Sequence, residues 1–274
     1  MSEFLNSVYQ SVDEQHADKS AATRRQVVGG AAAALGSMGM LAWAQDAEAQ
    51  LPTSNRNDAP NTVETIAAVA ATAEVLATIV NTVGGERVPL DAVTTRNIRA
   101  AATEEKIHYE VLISDAVGGV PITKRIWVPN EVFASPTNLL TTLVVGDQVF
   151  INAYLLAGTV FARAGGLSGS RFARFAAEFM GAEAVHRALA LQSLGRLGND
   201  RVFMKFGQRE AVTGLPTTGQ PGFYRITDAV TILESAGFGF GKQGSKPGAF
   251  FEYDEVSRRT PTVEQTGVNT LTPS

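Results

Sequence analysis

Long segments of helical composition alternate along the chain with connections that are rich in glycine, proline and polar residues. The four longest segments comprise residues 61–83, 92–117, 137–164 and 169–197. Each of them stops at a glycine, the residue that most often follows the last turn of a helix. At 1.5 Å per residue, helices of these lengths are about 35 to 45 Å long. The pattern therefore predicts an all-α fold in which these segments form a four-helix bundle.

The lengths of the connections predict how the four helices are joined. Only a few residues separate the first helix from the second and the third from the fourth, so each pair is expected to be an antiparallel hairpin. Residues 118–136, "GGVPITKRIWVPNEVFASP", form a much longer connection that could reach about 60 Å when extended. We therefore expect a crossover from one end of the bundle to the other between the second and third helices.

Residues 1–49 have the pattern of a cleavable export signal rather than of a folded domain. Arg24 and Arg25 precede an uncharged run rich in glycine and alanine, residues 27–45. The paired arginines resemble a twin-arginine signal, which predicts a location in the periplasm, the cell envelope or the extracellular space. The alternative is a retained membrane anchor. Residues 50–60 carry proline, serine and asparagine without an apolar period and are interpreted as a linker.

The part of the chain after the predicted bundle, which spans residues 61–200, is less regular. Residues 201–274 are interpreted as a C-terminal extension that contains one short helix within "RITDAVTILESAGF". That helix is expected to begin at Thr227 or Asp228. The last ~20 residues are polar and are expected to be mobile.

Composition narrows the kinds of ligand that the chain can bind. The 274 residues include no cysteine and give a formal net charge of −4 at pH 7. A negative chain without a basic cluster is not expected to bind nucleic acid. Without thiolates, any metal must be held by carboxylate oxygen and imidazole nitrogen, ligands that suit iron or manganese.

Two Glu-x-x-His motifs stand out in a chain that has only three histidines. Glu105 precedes His108 in the second predicted helix, and Glu183 precedes His186 in the fourth. Residues three apart on a helix lie on nearly the same face, so each pair can converge on one point. A single motif is readily explained as a surface pair, whereas two motifs on different long helices indicate a shared metal site.

The first and third predicted helices each contain one isolated carboxylate. Glu74 is the only charged residue between residues 65 and 85, and Asp147 is the only one between residues 132 and 162. A carboxylate facing an apolar core is costly unless it is protonated, paired or bound to a cation. The alternative is that both lie on a solvated edge or neutralise arginines; Glu104 is interpreted as a surface charge. The candidate metal ligands are therefore Glu74, Glu105, His108, Asp147, Glu183 and His186.

This set resembles the ferritin-like superfamily of carboxylate-bridged dimetal proteins, in which two helices give one carboxylate each and two give Glu-x-x-His. More narrowly, "VVGDQVFINAYLLAG" and "MGAEAVHRALAL" are similar to the third and fourth helices of exported ferritin-like domains related to plant desiccation-related proteins. In that family an acidic residue precedes an Ala-Tyr pair, as Asp147 precedes Ala153 and Tyr154. Tyr154 is interpreted either as a core residue or as a hydrogen-bond donor beside the site.

The resemblance implies a ferritin-like bundle that binds two iron or manganese ions, with Glu105 and Glu183 as the bridging ligands. Asp147 departs from the glutamate that is commoner in the family, which shortens its reach towards one metal position. The implied function is redox chemistry on oxygen or peroxide, of the ferroxidase or catalase type. The alternatives are a non-enzymatic desiccation or stress protein and a module tethered to the membrane by an uncleaved signal. Assembly into a homo-oligomer is left open.

Overall fold

The structure is a computed structural model that describes residues 61–200, 204–205 and 220–268, and most of these residues are helical. The mostly helical fold class predicted from the sequence is therefore confirmed. The predicted export signal and linker, residues 1–60, lie outside the described residues and stay predictions.

Four long helices make up the larger part of the described chain. They are α1 (Val63–Arg87), α2 (Ala92–Leu112), α3 (Pro136–Ala164) and α4 (Gly166–Ser193). The side chains of Thr62, Asp91 and Ser135 accept hydrogen bonds from backbone amides in the first turns of α1, α2 and α3. Such N-caps stabilise a helix by about 1 kcal/mol each, which explains why these three helices begin where they do.

Helix α1 continues through Gly84 and Gly85 to Arg87, although the sequence predicted its end at residue 83. A Cβ atom placed on Gly84 would lie only 2.7 Å from Cδ1 of Leu139 on α3. This glycine therefore allows α1 and α3 to approach each other closely. The sequence alone does not distinguish a glycine that permits close packing from one that ends a helix.

Helices α2 and α4 are shorter than the sequence indicated, and they end at Leu112 and Ser193. The residues after α2 form a turn in which the carbonyl of Ser114 accepts a hydrogen bond from the amide of Gly118. Gly118 and Gly195 have φ values of 72°, in the left-handed region that glycine adopts without strain. Gly118 belongs to the predicted stop signal of α2, but the helix ends six residues before it, and α4 ends two residues before Gly195 rather than at the predicted Gly198.

Contacts between helix ends show the directions of the four helices. Gly84 near the end of α1 faces Leu139 near the start of α3, so α1 and α3 are antiparallel. Thr94 in the first turn of α2 donates a hydrogen bond of 2.9 Å to Ser193 at the end of α4. At the opposite end, one apolar pocket is lined by the start of α1, the end of α2, the end of α3 and the start of α4. Helix α2 therefore ends where α3 also ends, and residues 113–135 run the length of the helices.

This connection contains a strand, which the sequence prediction did not include. Strand β1 (Arg125–Pro129) lies between β4 (Gly239–Phe240) and β5 (Gly248–Glu252) and is antiparallel to both. A short parallel pair is formed by β2 (Met204–Lys205) and β3 (Gln220–Pro221). A five-residue strand whose partners lie far along the chain leaves little local signal, because strand formation depends on its neighbours more than on its own residues.

The C-terminal part of the chain packs against α1, α2 and α3. Its three short helices are α5 (Ile226–Ser235), α6 (Tyr253–Val256) and α7 (Val263–Thr266). Helix α5 begins just before the predicted start at Thr227. The hydroxyl groups of Thr82 and Thr260 form a hydrogen bond of 2.9 Å, and Thr103 donates to the carbonyl of Pro261 at 2.8 Å. The packed structure therefore extends further along the chain than its polar C-terminal composition indicated.

Helices α1 and α3 are long and apolar enough to cross a membrane, judged by length and composition alone. The most apolar 18-residue windows of the two helices are 72% and 67% buried inside the structure. Packing against the other helices therefore accounts for most of their apolar surface. Glu74 and Asp147 interrupt these two apolar helices in the interior.

Candidate metal centre

The four long helices bury all six ionisable side chains that the sequence singled out. Helices α1 and α3 each contribute one carboxylate, and α2 and α4 each contribute a glutamate and a histidine one turn apart. The exposed fractions are 0% for Glu74, Glu105 and Glu183, 5% for Asp147, 6% for His108 and 8% for His186. A solvated helix edge, the alternative considered for the isolated carboxylates, does not describe residues buried to this degree.

Four of the six side chains converge closely around Nδ1 of His108. This nitrogen lies 3.3 Å from Oε2 of Glu105, 3.4 Å from Oε1 of Glu183 and 3.6 Å from Oε1 of Glu74. One donor atom from each of the four residues falls within 4.8 Å of all the others. We call the space between Glu74, Glu105, His108 and Glu183 the first position. It could hold a metal ion.

A similar arrangement surrounds Nδ1 of His186. This nitrogen lies 3.1 Å from Oε1 of Glu105 and 3.5 Å from Oε2 of Glu183. Asp147 lines the same pocket as His186. We call the space between Glu105, Asp147, Glu183 and His186 the second position.

Glu105 and Glu183 are shared by the two positions. Each of these carboxylates turns one oxygen towards Nδ1 of His108 and the other oxygen towards Nδ1 of His186. Two carboxylates that each face two nitrogen ligands in this way can bridge a pair of cations. The spacing of the Glu-x-x-His motifs predicted that the glutamate and histidine of each motif converge on one point. The structure adds the direction in which each carboxylate oxygen points.

The facing atoms of the centre make no hydrogen bonds to one another, despite their short separations. Within the described part of the chain, the atoms that are buried without a hydrogen-bond partner include both carboxylate oxygens of Glu105 and of Glu183, Nδ1 of His108 and of His186, Oε2 of Glu74 and Oδ2 of Asp147. Leaving one buried polar atom unsatisfied costs about 1–3 kcal/mol, and more when it is charged. Cations would satisfy these atoms together, so the donor set fits a metal ion.

Two aromatic residues surround the first position. The hydroxyl of Tyr154 on α3 donates a hydrogen bond to Oε1 of Glu74. Phe179 on α4 stacks on the imidazole of His108, with ring centroids 4.1 Å apart, and meets the ring of Tyr154 edge-on. Tyr154 is therefore both a buried core residue and a donor to a candidate ligand, the two interpretations that the sequence left open.

The sequence did not predict a role for Glu104 at the centre, because we interpreted this residue as a surface charge. Its Oε2 lies 2.5 Å from Nε2 of His186, the ring nitrogen that points away from the centre. A carboxylate at this nitrogen fixes the tautomer of the histidine and leaves Nδ1 available to a metal. The only signal in the sequence is the doubled glutamate of "EEKIH", which does not tell which helix Glu104 faces.

Burial shifts the protonation equilibria of the centre in the absence of metal. Burial and the negative charge of Glu105 raise the pKa of Glu74 from an ordinary value of 4.5 to about 8. Burial and the charge of Glu183 raise the pKa of Asp147 well above its usual range. Burial alone would lower the pKa of His108 and of His186, but the surrounding carboxylates outweigh it and raise both. The metal-free centre therefore retains protons at neutral pH.

Replacing Glu74 by glutamine is expected to flatten the pH dependence of stability in the metal-free protein. Because the folded pKa of Glu74 is raised, the folded state keeps a proton between pH 4.5 and about 8 that the unfolded chain releases. The free energy of unfolding of the wild type therefore falls as pH rises through this window, by at most about 5 kcal/mol from this group. Glutamine has no such proton and can still accept the hydrogen bond from Tyr154.

This expectation is tested by urea unfolding at pH 5 and pH 8 with a chelator present. Glu110→Gln is the matched control, since Glu110 lies on the exposed side of α2 with its side chain 58% exposed. The same pH dependence in the wild type and in Glu74→Gln would contradict the protonated state assigned to Glu74.

Comparison with known proteins yields no match for this chain among family models, curated proteins or solved structures. The geometry of the centre therefore carries the functional argument.

Proposed function

We propose that this chain is a ferritin-like four-helix-bundle protein whose buried centre holds two iron or manganese ions. The observation that carries the proposal is the orientation of Glu105 and Glu183, each of which presents one oxygen to His108 and the other to His186. The crossover along residues 113–135 supports the ferritin-like topology, because it joins two parallel long helices as in ferritin-like bundles.

The proposed assignment gives each ion one histidine nitrogen, one terminal carboxylate and two shared carboxylates. Glu74 and His108 complete the first position, and Asp147 and His186 complete the second. Oxygen and nitrogen ligands of this kind suit iron and manganese, and no cysteine is present that would favour a softer metal. Four carboxylates and two neutral histidines would balance the charge of two divalent cations.

Bound at these positions, two ions that cycle between the +2 and +3 states would give electrons to oxygen or peroxide, and in dismutation they would pass electrons from one peroxide molecule to another. The surrounding residues hold the ligands in the interior of the four helices. Tyr154 fixes one oxygen of Glu74 through its hydroxyl group, and Phe179 covers one face of His108. Export through the signal predicted at residues 1–49 would place this chemistry outside the cytoplasm.

The proposal is tested by elemental analysis of protein purified from its native compartment, beside a Glu105→Ala/His186→Ala double variant. We expect about two iron or manganese ions per wild-type chain and none in the double variant, because it lacks a shared carboxylate and a terminal nitrogen ligand. Glu110→Ala, which changes an exposed carboxylate on α2, is the control and is expected to retain both ions.

If wild-type protein contains the two ions, consumption of oxygen and of hydrogen peroxide is the next measurement. Turnover of either that is lost in the double variant would support an enzyme. A metal-loaded protein without turnover would favour the stress-protein alternative. Wild-type protein that contains no metal and takes up none on addition of Fe²⁺ or Mn²⁺ would overturn the proposed function.

A further inference from the structure

The two metal positions differ in the contacts that hold their ligands in place. At the first position the donor atoms of four residues already lie within 4.8 Å of one another. Glu74 is held there by Tyr154, and the ring of His108 is held against Phe179. At the second position, no hydrogen bond from the described residues holds Oδ2 of Asp147. The terminal carboxylate of the first position is therefore fixed by a hydrogen bond from Tyr154, whereas Oδ2 of Asp147 has no such partner among the described residues.

The two positions also differ in their access to solvent. Asp147 and His186 themselves form part of the wall of a small pocket, together with Asn81 and Ser193. Ser193 is exposed, and the amide oxygen of Asn81 is buried without a hydrogen-bond partner among the described residues. The apolar pocket on the other side is lined by Tyr154 and Phe179, but by none of the six candidate ligands.

The histidine of the second position is supported by a carboxylate that reaches the surface. Glu104 contacts Nε2 of His186 at 2.5 Å, and its side chain is 32% exposed. Its carboxylate orients the ring so that Nδ1 points to Glu105 and Glu183. Glu104 is therefore a positioning residue for the second position and has no contact of this kind with His108.

We propose that the two positions are inequivalent: the first position binds its ion first and retains it, whereas the second binds more weakly and exchanges its ion with solvent. The pocket bounded by Asn81, Asp147, His186 and Ser193 is the route of exchange, and Glu104 sets the affinity of the second position. This inference rests on the proposed dimetal function and specifies how that centre is loaded. A protein built in this way holds one divalent cation stably and a second reversibly.

Stepwise titration of the metal-free full-length chain with Mn²⁺ tests the proposal without any assay of activity. Electron paramagnetic resonance distinguishes an isolated Mn²⁺ ion from a magnetically coupled pair, and a competing chelator gives each Kd. We expect the first equivalent to give isolated Mn²⁺ and the second to convert this signal into that of the coupled pair. Dilution into chelator is expected to remove the second ion first.

Three variants show which metal position is filled in each of the two binding steps. Asp147→Asn is expected to abolish the second step and retain the first. Glu104→Gln is expected to weaken the second step by about 10- to 100-fold, the usual effect of losing the partner of a metal-bound histidine, with the first step little changed. Glu110→Gln, on the same helix and exposed, is the control for both steps. Far-ultraviolet circular dichroism checks that each variant is folded.

The possible results separate this inference from the proposed function. Simultaneous binding of both ions with one affinity, or loss of both steps together in folded Asp147→Asn, would overturn the inequivalence and leave the dimetal centre standing. An equal weakening of both steps in Glu104→Gln would overturn the role given to Glu104. Absence of any Mn²⁺ or Fe²⁺ binding in the wild type would overturn the proposed function itself.

Discussion

Removing bound metal with a chelator is expected to lower the midpoint of thermal unfolding of this chain by roughly 10 °C. An ion present at about 1,000 times its Kd stabilises the folded state by about 4 kcal/mol, provided that it does not bind the unfolded chain. For a domain of this size, each kcal/mol shifts the midpoint by about 2–4 °C. Within the described residues, no group forms a hydrogen bond with the carboxylate oxygens of Glu105 and Glu183 or with Nδ1 of either histidine. A bound metal ion would be the only partner of these buried atoms.

The measurement is a pair of thermal unfolding curves at pH 8, one with Mn²⁺ and one with chelator, for the wild type and for Glu105→Ala/His186→Ala. We expect the wild-type midpoint to depend on metal and that of the double variant to be independent of it. The double variant also removes two of the ionisable groups buried in the metal-free centre, so its fold is not expected to need metal. Coincident wild-type curves with and without Mn²⁺ would contradict metal binding in the core.

The candidate ligands could be predicted from the sequence because their signals are local. The spacing in Glu105-x-x-His108 and in the second motif places each pair on one helical face, whatever surrounds the helix. The isolation of Glu74 and of Asp147 in apolar segments is equally visible, because a lone charge in such a segment must be paired, protonated or exposed. The structure buries all of these side chains, as a shared interior site requires.

Features that depend on contacts between distant segments could not be predicted. The contact of Glu104 with His186 requires α2 and α4 to be neighbours at the correct rotation, which no spacing within either helix encodes. Strand β1 forms against partners from the C-terminal part of the chain, so its residues alone do not define it. Gly84 shows the same limit, since its close contact with Leu139 becomes visible only when α1 and α3 are packed together.

Lowering the pH from 8 to 6 is expected to weaken metal binding by at least about 100-fold, because metal and protons compete for the same atoms. The pKa of Glu74 is raised to about 8, and that of Asp147 is also raised, so both carboxyl groups must release a proton before they bind a cation. The raised pKa values of His108 and His186 also weaken metal binding at lower pH, because a protonated imidazole nitrogen cannot bind a cation. Each displaced proton costs about tenfold in apparent affinity for every pH unit below the pKa concerned.

Two measurements test this competition. Kd values for Mn²⁺ at pH 6, 7 and 8 are expected to fall steadily as pH rises, and adding Mn²⁺ to weakly buffered protein at pH 7 is expected to acidify the solution. Glu74→Gln provides the internal comparison: its affinity is lower, but its pH dependence is expected to be shallower, because residue 74 no longer has a proton to lose. Binding without proton release, or an equal pH dependence in both proteins, would mean that Glu74 is already ionised in the metal-free centre. In that case the buried carboxylates would be neutralised by protonated His108 and His186, and metal would displace protons from the histidines alone.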